Sequence, residues 1–147
     1  MNKRTYNPII ISCLLLLSVF ILGSCSTAKK VDADEKEKIT ALVTPRIDSM
    51  MQGFSENNYQ KFSEFFDAKM LTGMPESGFN DLQKMITEKI GNYQSYEIVD
   101  ILKTNNFITV ICNAAFDNED KVTIRLIFDP DAEYAISGIW IDSPELR

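Results

Sequence analysis

Along the chain the apolar positions change their spacing several times. From Ile9 to Leu22 they run almost unbroken for 14 residues. Through "STAKKVDADEKEK", Ser26 to Lys38, they nearly vanish. Then Ile39, Leu42, Val43, Ile47, Met50, Met51 and Phe54 return three or four apart, the stripe of an amphipathic helix. Asp34 with Glu37 three residues on predicts its start as a capping box. Pro45 falls inside and predicts a kink, with two shorter helices as the alternative. After the turn-rich "GFSENN", Tyr59, Phe62, Phe65 and Phe66 predict a second, short helix with Asn58 as N-cap. "MLTGMPESG" reads as a break, and Phe79, Leu82, Met85, Ile86 and Ile90 predict a third helix ending at Gly91.

Beyond Gly91 the period shortens to two. Four β-rich runs follow, Ser95 to Lys103, Phe107 to Phe116, Lys121 to Asp129 and Glu133 to Ile141, separated by "TNN", "DNED" and "PDA". Such gaps admit only hairpins, so the strands form an antiparallel meander. The expected class is α+β, three N-terminal helices packed on a curved four-stranded sheet.

The first apolar run needs a separate account. A bilayer-spanning helix takes about 20 apolar residues, more than this run offers. Lys3 and Arg4 precede it and the small residues Gly23 and Ser24 follow, the order of a secretory signal peptide. Leu22-Gly23-Ser24-Cys25 resembles the lipobox of bacterial and archaeal lipoproteins, and that resemblance implies a lipid on Cys25. The expected organisation is a leader over residues 1–24, a lipidated tether over 25–35 and one domain over 36–147. The partner so implied is a membrane, and the expected place is the cell envelope, on the outer side of the cytoplasmic membrane or in an outer membrane. Lys29 and Lys30 either meet anionic head groups or are solvated linker residues.

Composition narrows the chemistry. Loss of Lys3 and Arg4 with the leader takes the formal net charge from -6 to -8, which speaks against nucleic acid. Of the cysteines, Cys13 leaves with the leader and Cys25 takes the lipid, so Cys112 has no disulfide partner within the chain and reads as an inert core residue. Histidine is absent, which removes the catalytic triad, the histidine base and nearly all zinc sites. The acidic clusters lack the spacing of a calcium loop, so neither a metal nor a cofactor is expected.

The order of a helix, "SENNYQKFSEFFDAKM", a Gly- and Pro-containing break, a helix closing at "KIGNYQS", and hairpin-linked strands with "AAFDNEDKVTIRLIFD" in the middle resembles a small NTF2-like (cystatin-superfamily-shaped) α+β cone. Within that group it is similar to the lipoprotein-associated domain of unknown function 3887, over roughly Lys36 to Ile141. The resemblance implies a pocket between sheet and helices, more often used for binding than for catalysis.

Three sets of residues are candidates for a site. Asp100 interrupts "IVDIL" and either enters a cavity as a base or faces solvent, the second being the expected state. Thr109, Asn113 and Arg125 alternate with apolar neighbours on adjacent strands; they either converge in a pocket, with Arg125 holding an anion, or decorate an exposed face. Tyr96, Tyr134 and Trp140 fill the core or line a ligand site, and Trp140, near the last strand's end, is the one to test. The expected function is a non-catalytic, lipid-anchored extracytoplasmic module that binds a small apolar or anionic ligand or an envelope protein. Two alternatives remain: an enzyme with a buried carboxylate of raised pKa, and a structural lipoprotein with an apolar patch on the sheet's outer face and no pocket.

Overall fold

The computed structural model describes residues 28–147. The leader, Cys25 and the first part of the tether lie outside the described residues. Among those described, no helix is long and apolar enough to cross a membrane. The elements in order are β1 (Lys29–Lys30), α1 (Ala33–Ser55), α2 (Tyr59–Phe62), α3 (Ala68–Gly73), α4 (Glu76–Ile90), β2 (Tyr93–Thr104), β3 (Phe107–Phe116), β4 (Glu119–Asp129) and β5 (Ala135–Asp142). The α+β class and the antiparallel meander are as expected; the described residues hold four helices and five strands where three and four were expected.

Both additions lack the signal that periodicity reads. In α3 no residue is buried, so its sequence carries no apolar stripe. A local cap and a neighbour hold it instead. The Met70 N–H donates to Asp67 Oδ1 at 2.6 Å, and the Asp67 N–H donates to the Ile136 carbonyl at 3.0 Å, tying the helix start to the free edge of β5. Strand β1 is only two residues long and exists because β2 accepts it: Lys29 pairs with Lys103 and Lys30 with Leu102, antiparallel. The Val31 N–H then donates to the Ile101 carbonyl at 3.3 Å.

That pairing shifts the start of α1. With the strand ending at Val31, the chain turns at once and Asp32 becomes the N-cap, accepting from the Glu35 N–H at 2.8 Å. The capping box expected at Asp34 is corrected; Asp34 and Glu35 sit in the first turn, where negative charge favours the helix dipole. The helix runs through Pro45 as one element. On the same turn Arg46 Nη1 donates to the Leu42 carbonyl at 2.6 Å, and Nη2 reaches the Glu133 carbonyl at 2.7 Å. The guanidinium lies 5.3 Å from the centre of the Phe65 ring, so one side chain pins α1 to the turn before β5.

At its other end α1 crosses α2 at close range, which Gly53 permits by lacking a side chain. The Asn58 N–H donates to the Gly53 carbonyl at 2.8 Å, and Asn58 caps α2 as expected, accepting from the Lys61 N–H. Around this corner Phe54, Phe62, Phe66 and Phe79 pack into an aromatic cluster, with Phe62 and Phe79 ring centres 4.6 Å apart. Two expected core residues point outward, Leu42 at 42% exposure and Met85 at 39%, because the stripe that packs on the sheet is narrower than the apolar pattern.

Alternation in the sheet is strict where it matters. On β3 the even positions Ile108, Val110, Cys112, Ala114 and Phe116 are buried beneath the helices. On β4 Val122, Ile124, Leu126 and Phe128 continue the same face. The odd positions of both strands therefore point away from the helices.

Candidate functional site

The four binding residues expected from sequence share one face. Thr109 lies opposite Ile127, Asn113 opposite Thr123, and Ile111 opposite Arg125. Arg125 in turn lies opposite Trp140. This face is the open one, turned away from the helices. The expected pocket between sheet and helices is corrected at its centre: there the core closes the space to a slit of about 10 Å³ among Met50, Phe54, Phe62 and Ile124, and what remains is an open cleft of about 310 Å³ at the rim between α1 and β2, lined by Asp48, Gln52, Tyr93 and Tyr96.

The open face is graded along the strands. Toward the β2–β3 turn it carries Leu102, Phe107, Thr109, Ile127 and the indole of Trp140; toward the other end come Glu97, Asn113, Thr123 and Asp142. Phe107 is 42% exposed and Trp140 54%. A bulge in β5, between the Ile127–Gly138 and Phe128–Ile136 pairs, leaves Ser137 unopposed and turns Gly138 toward the open face. The Trp140 indole lies over Gly138, filling the place a β-carbon would take.

In the apolar half the surface sinks into a hollow of about 590 Å³, lined among others by Asp67, Lys69, Phe107, Thr109, Ile127 and Ser137. Its size falls within the usual span for small-molecule sites, and it is open to solvent. Thr109 lines it; Trp140 stands outside its wall, with its indole over Gly138, the residue after Ser137; Arg125 stands exposed between the halves; Asn113 belongs to a separate depression of about 210 Å³ with Glu97 and Lys121. Sequence reasoning missed Asp67, Phe107 and Ser137. Asp67 was legible only as the cap of a helix without a stripe, and Ser137 acquires its position from the bulge.

Electrostatics separate the candidates further. The Met70 N–H holds the Asp67 carboxyl below its ordinary range against the effect of burial. The hydroxyl of Ser137 adds to the lowering, although its geometry falls short of a full hydrogen bond. Asp100 forms an ion pair with Lys30 at 2.6 Å, and this partner holds its carboxyl low, the opposite of what a buried base requires. Tyr96 faces the helices, donating to Asp48 Oδ1 at 2.6 Å; burial and that hydrogen bond push its hydroxyl up. Burial also pushes the Cys112 thiol up to about 12, so it is a poor nucleophile. Among the described residues no group of three or more acidic, cysteine or histidine side chains is placed to hold a metal ion. The arrangement can stack on an apolar or planar group and offer carboxylate, hydroxyl and ammonium partners around it.

Residues 48–136 match the family described as a protein of unknown function, DUF3887. No curated protein and no solved structure matches the chain.

Proposed function

We propose, from the premise that this chain belongs to the DUF3887 family of proteins of unknown function, that it is a non-catalytic binding module which presents the open face of its sheet to a ligand or partner. In this reading Cys25 carries a lipid, and the module works outside the cytoplasm at the surface of an envelope membrane. The observation that carries it is the hollow of about 590 Å³ beside exposed Phe107, on a face where Thr109 and Trp140 also lie, while the interior is closed. The α+β arrangement is compatible with an NTF2-like cone whose interior is packed shut, so that binding moves to the outside of the sheet. An enzyme reading has less support, because Asp100 is a half-buried, ion-paired carboxylate held low by Lys30.

A photo-reactive residue placed at Thr109 in the full chain, in its own envelope, tests this. Illumination is expected to yield a reproducible adduct that is absent when the same residue replaces Lys121 on the polar half. Equal labelling at the two positions, or none at either, overturns the proposal.

A further inference from the structure

We infer that the apolar half of the open face lies against the lipid bilayer that holds the chain's own anchor; this deepens the binding reading above and rests on its lipidated Cys25. The first reason is the length of the leash. Because Lys29 and Lys30 are paired into the sheet, only four residue steps separate Cys25 from the first anchored position. An extended residue spans at most about 3.6 Å, so Lys29 stays within about 14 Å of the lipidated residue, far less than a free tether over residues 25–35 would allow.

The second reason is direction. Strand β1 is antiparallel to β2, with Lys29 opposite Lys103 and Lys30 opposite Leu102. Followed back toward Cys25, the paired chain heads to the level of Thr104, the end of the sheet where β2 turns into β3. This is the end at which the open face is apolar. The end that the leash draws toward the membrane is thus the end that carries exposed Phe107, half-buried Ile127 and the Trp140 indole, and the polar row of Glu97, Asn113, Thr123 and Asp142 lies at the far end of the same face.

The third is charge. Lys30 and Lys69 on this half, with Arg125 between the halves, are matched by Asp67, Asp100 and Asp129, so no excess of positive charge pulls it to anionic lipid. The contact is apolar, with an amphipathic tryptophan ring at the depth where such rings settle.

Trp140 is the only tryptophan in the sequence, so the face carries its own reporter. The intact lipidated chain is reconstituted in phosphatidylcholine vesicles with and without phospholipid spin-labelled at an upper acyl carbon. Contact predicts a loss of Trp140 emission of roughly twofold or more, unchanged by high salt because the contact is not electrostatic. Phe107→Asp, at an exposed position, is expected to restore most of the emission while circular dichroism stays that of the parent chain. Undiminished emission from a chain whose mass includes the lipid overturns the docking alone. A mass without lipid overturns the anchor, and this inference with it.

Discussion

The indole of Trp140 lies so close over Gly138 that a β-carbon built there would meet its Cζ3 atom at 2.6 Å. The obstacle is the far end of a side chain on a solvent-exposed face, not backbone. Gly138→Ala should therefore lift the ring off the sheet without unfolding the protein, at a cost below about 1 kcal/mol, since alanine also relieves the entropic burden of glycine in a strand. The expected signs are a red-shifted Trp140 emission and a nearly unchanged urea midpoint. A large drop in the midpoint would mean that Trp140 braces the sheet.

Gly53 gives the opposite result for a related reason. A β-carbon there would lie 2.2 Å from the Phe62 backbone nitrogen and 2.8 Å from the Lys61 carbonyl carbon, and neither is free to swing aside. Gly53→Ala must push α2 off α1 and loosen the aromatic cluster beneath it. A loss of about 1–3 kcal/mol is expected, read from urea unfolding. A stability equal to that of the parent chain would show that the corner yields more easily than its packing implies.

The Lys30–Asp100 pair makes a pH-dependent tie between β1 and β2. Asp100 has a lowered folded-state pKa, with Lys30 as the first cause. Its contribution is present above the unfolded value of about 3.9 and is lost as pH falls through the lower folded value. NMR titration of the Asp100 carboxyl is expected to give a midpoint below that of a free aspartate, moved upward by Lys30→Ala. A midpoint indifferent to Lys30 would show that the pair does not persist in solution, and the short leash would lose its support.

Thiol chemistry separates the cysteines. Cys112 is buried in the core, with its thiol pushed up to about 12. A thiol reagent at mildly alkaline pH should leave it unmodified in the folded protein and label it once urea unfolds the chain. In leaderless material from the native envelope Cys25 should add no second thiol, whereas Cys25→Ser should release the chain from the membrane fraction. A thiol count of two after unfolding, in chain still found with the membrane, would contradict lipidation.

Arg46 tests how the turn before β5 is held. Its guanidinium serves two carbonyls, on Leu42 and Glu133, while lying over Phe65. Glu133 and Tyr134 both adopt positive φ, 54° and 58°, a strained pair for residues with side chains. Arg46→Lys cannot reproduce the fork, so a loss of about 1–2 kcal/mol is expected despite the retained charge. Equal stability of the two proteins would assign the turn's conformation to other contacts.

What sequence alone determined were the features that repeat. Helices α1 and α4 and the strands β2 to β5 each bury a face, and burial writes its period into the residues whatever the neighbours are. The hairpin gaps then forced the strand order, and shared parity along β3 and β4 allowed Thr109, Asn113 and Arg125 to fall on one face. Which face the helices would cover was not written there, because both faces of β3 carry apolar residues, Ile108 and Val110 on one and Phe107 and Ile111 on the other. Tertiary structure decided that, along with β1, α3 and the N-cap at Asp32. A two-residue strand exists only through hydrogen bonds to its partner, and a helix with no buried residue only through its cap and its tie to an edge. The hollow beside Phe107 is of the same kind: its walls come from five elements, α3 and the strands β2 to β5, and no local spacing records their meeting.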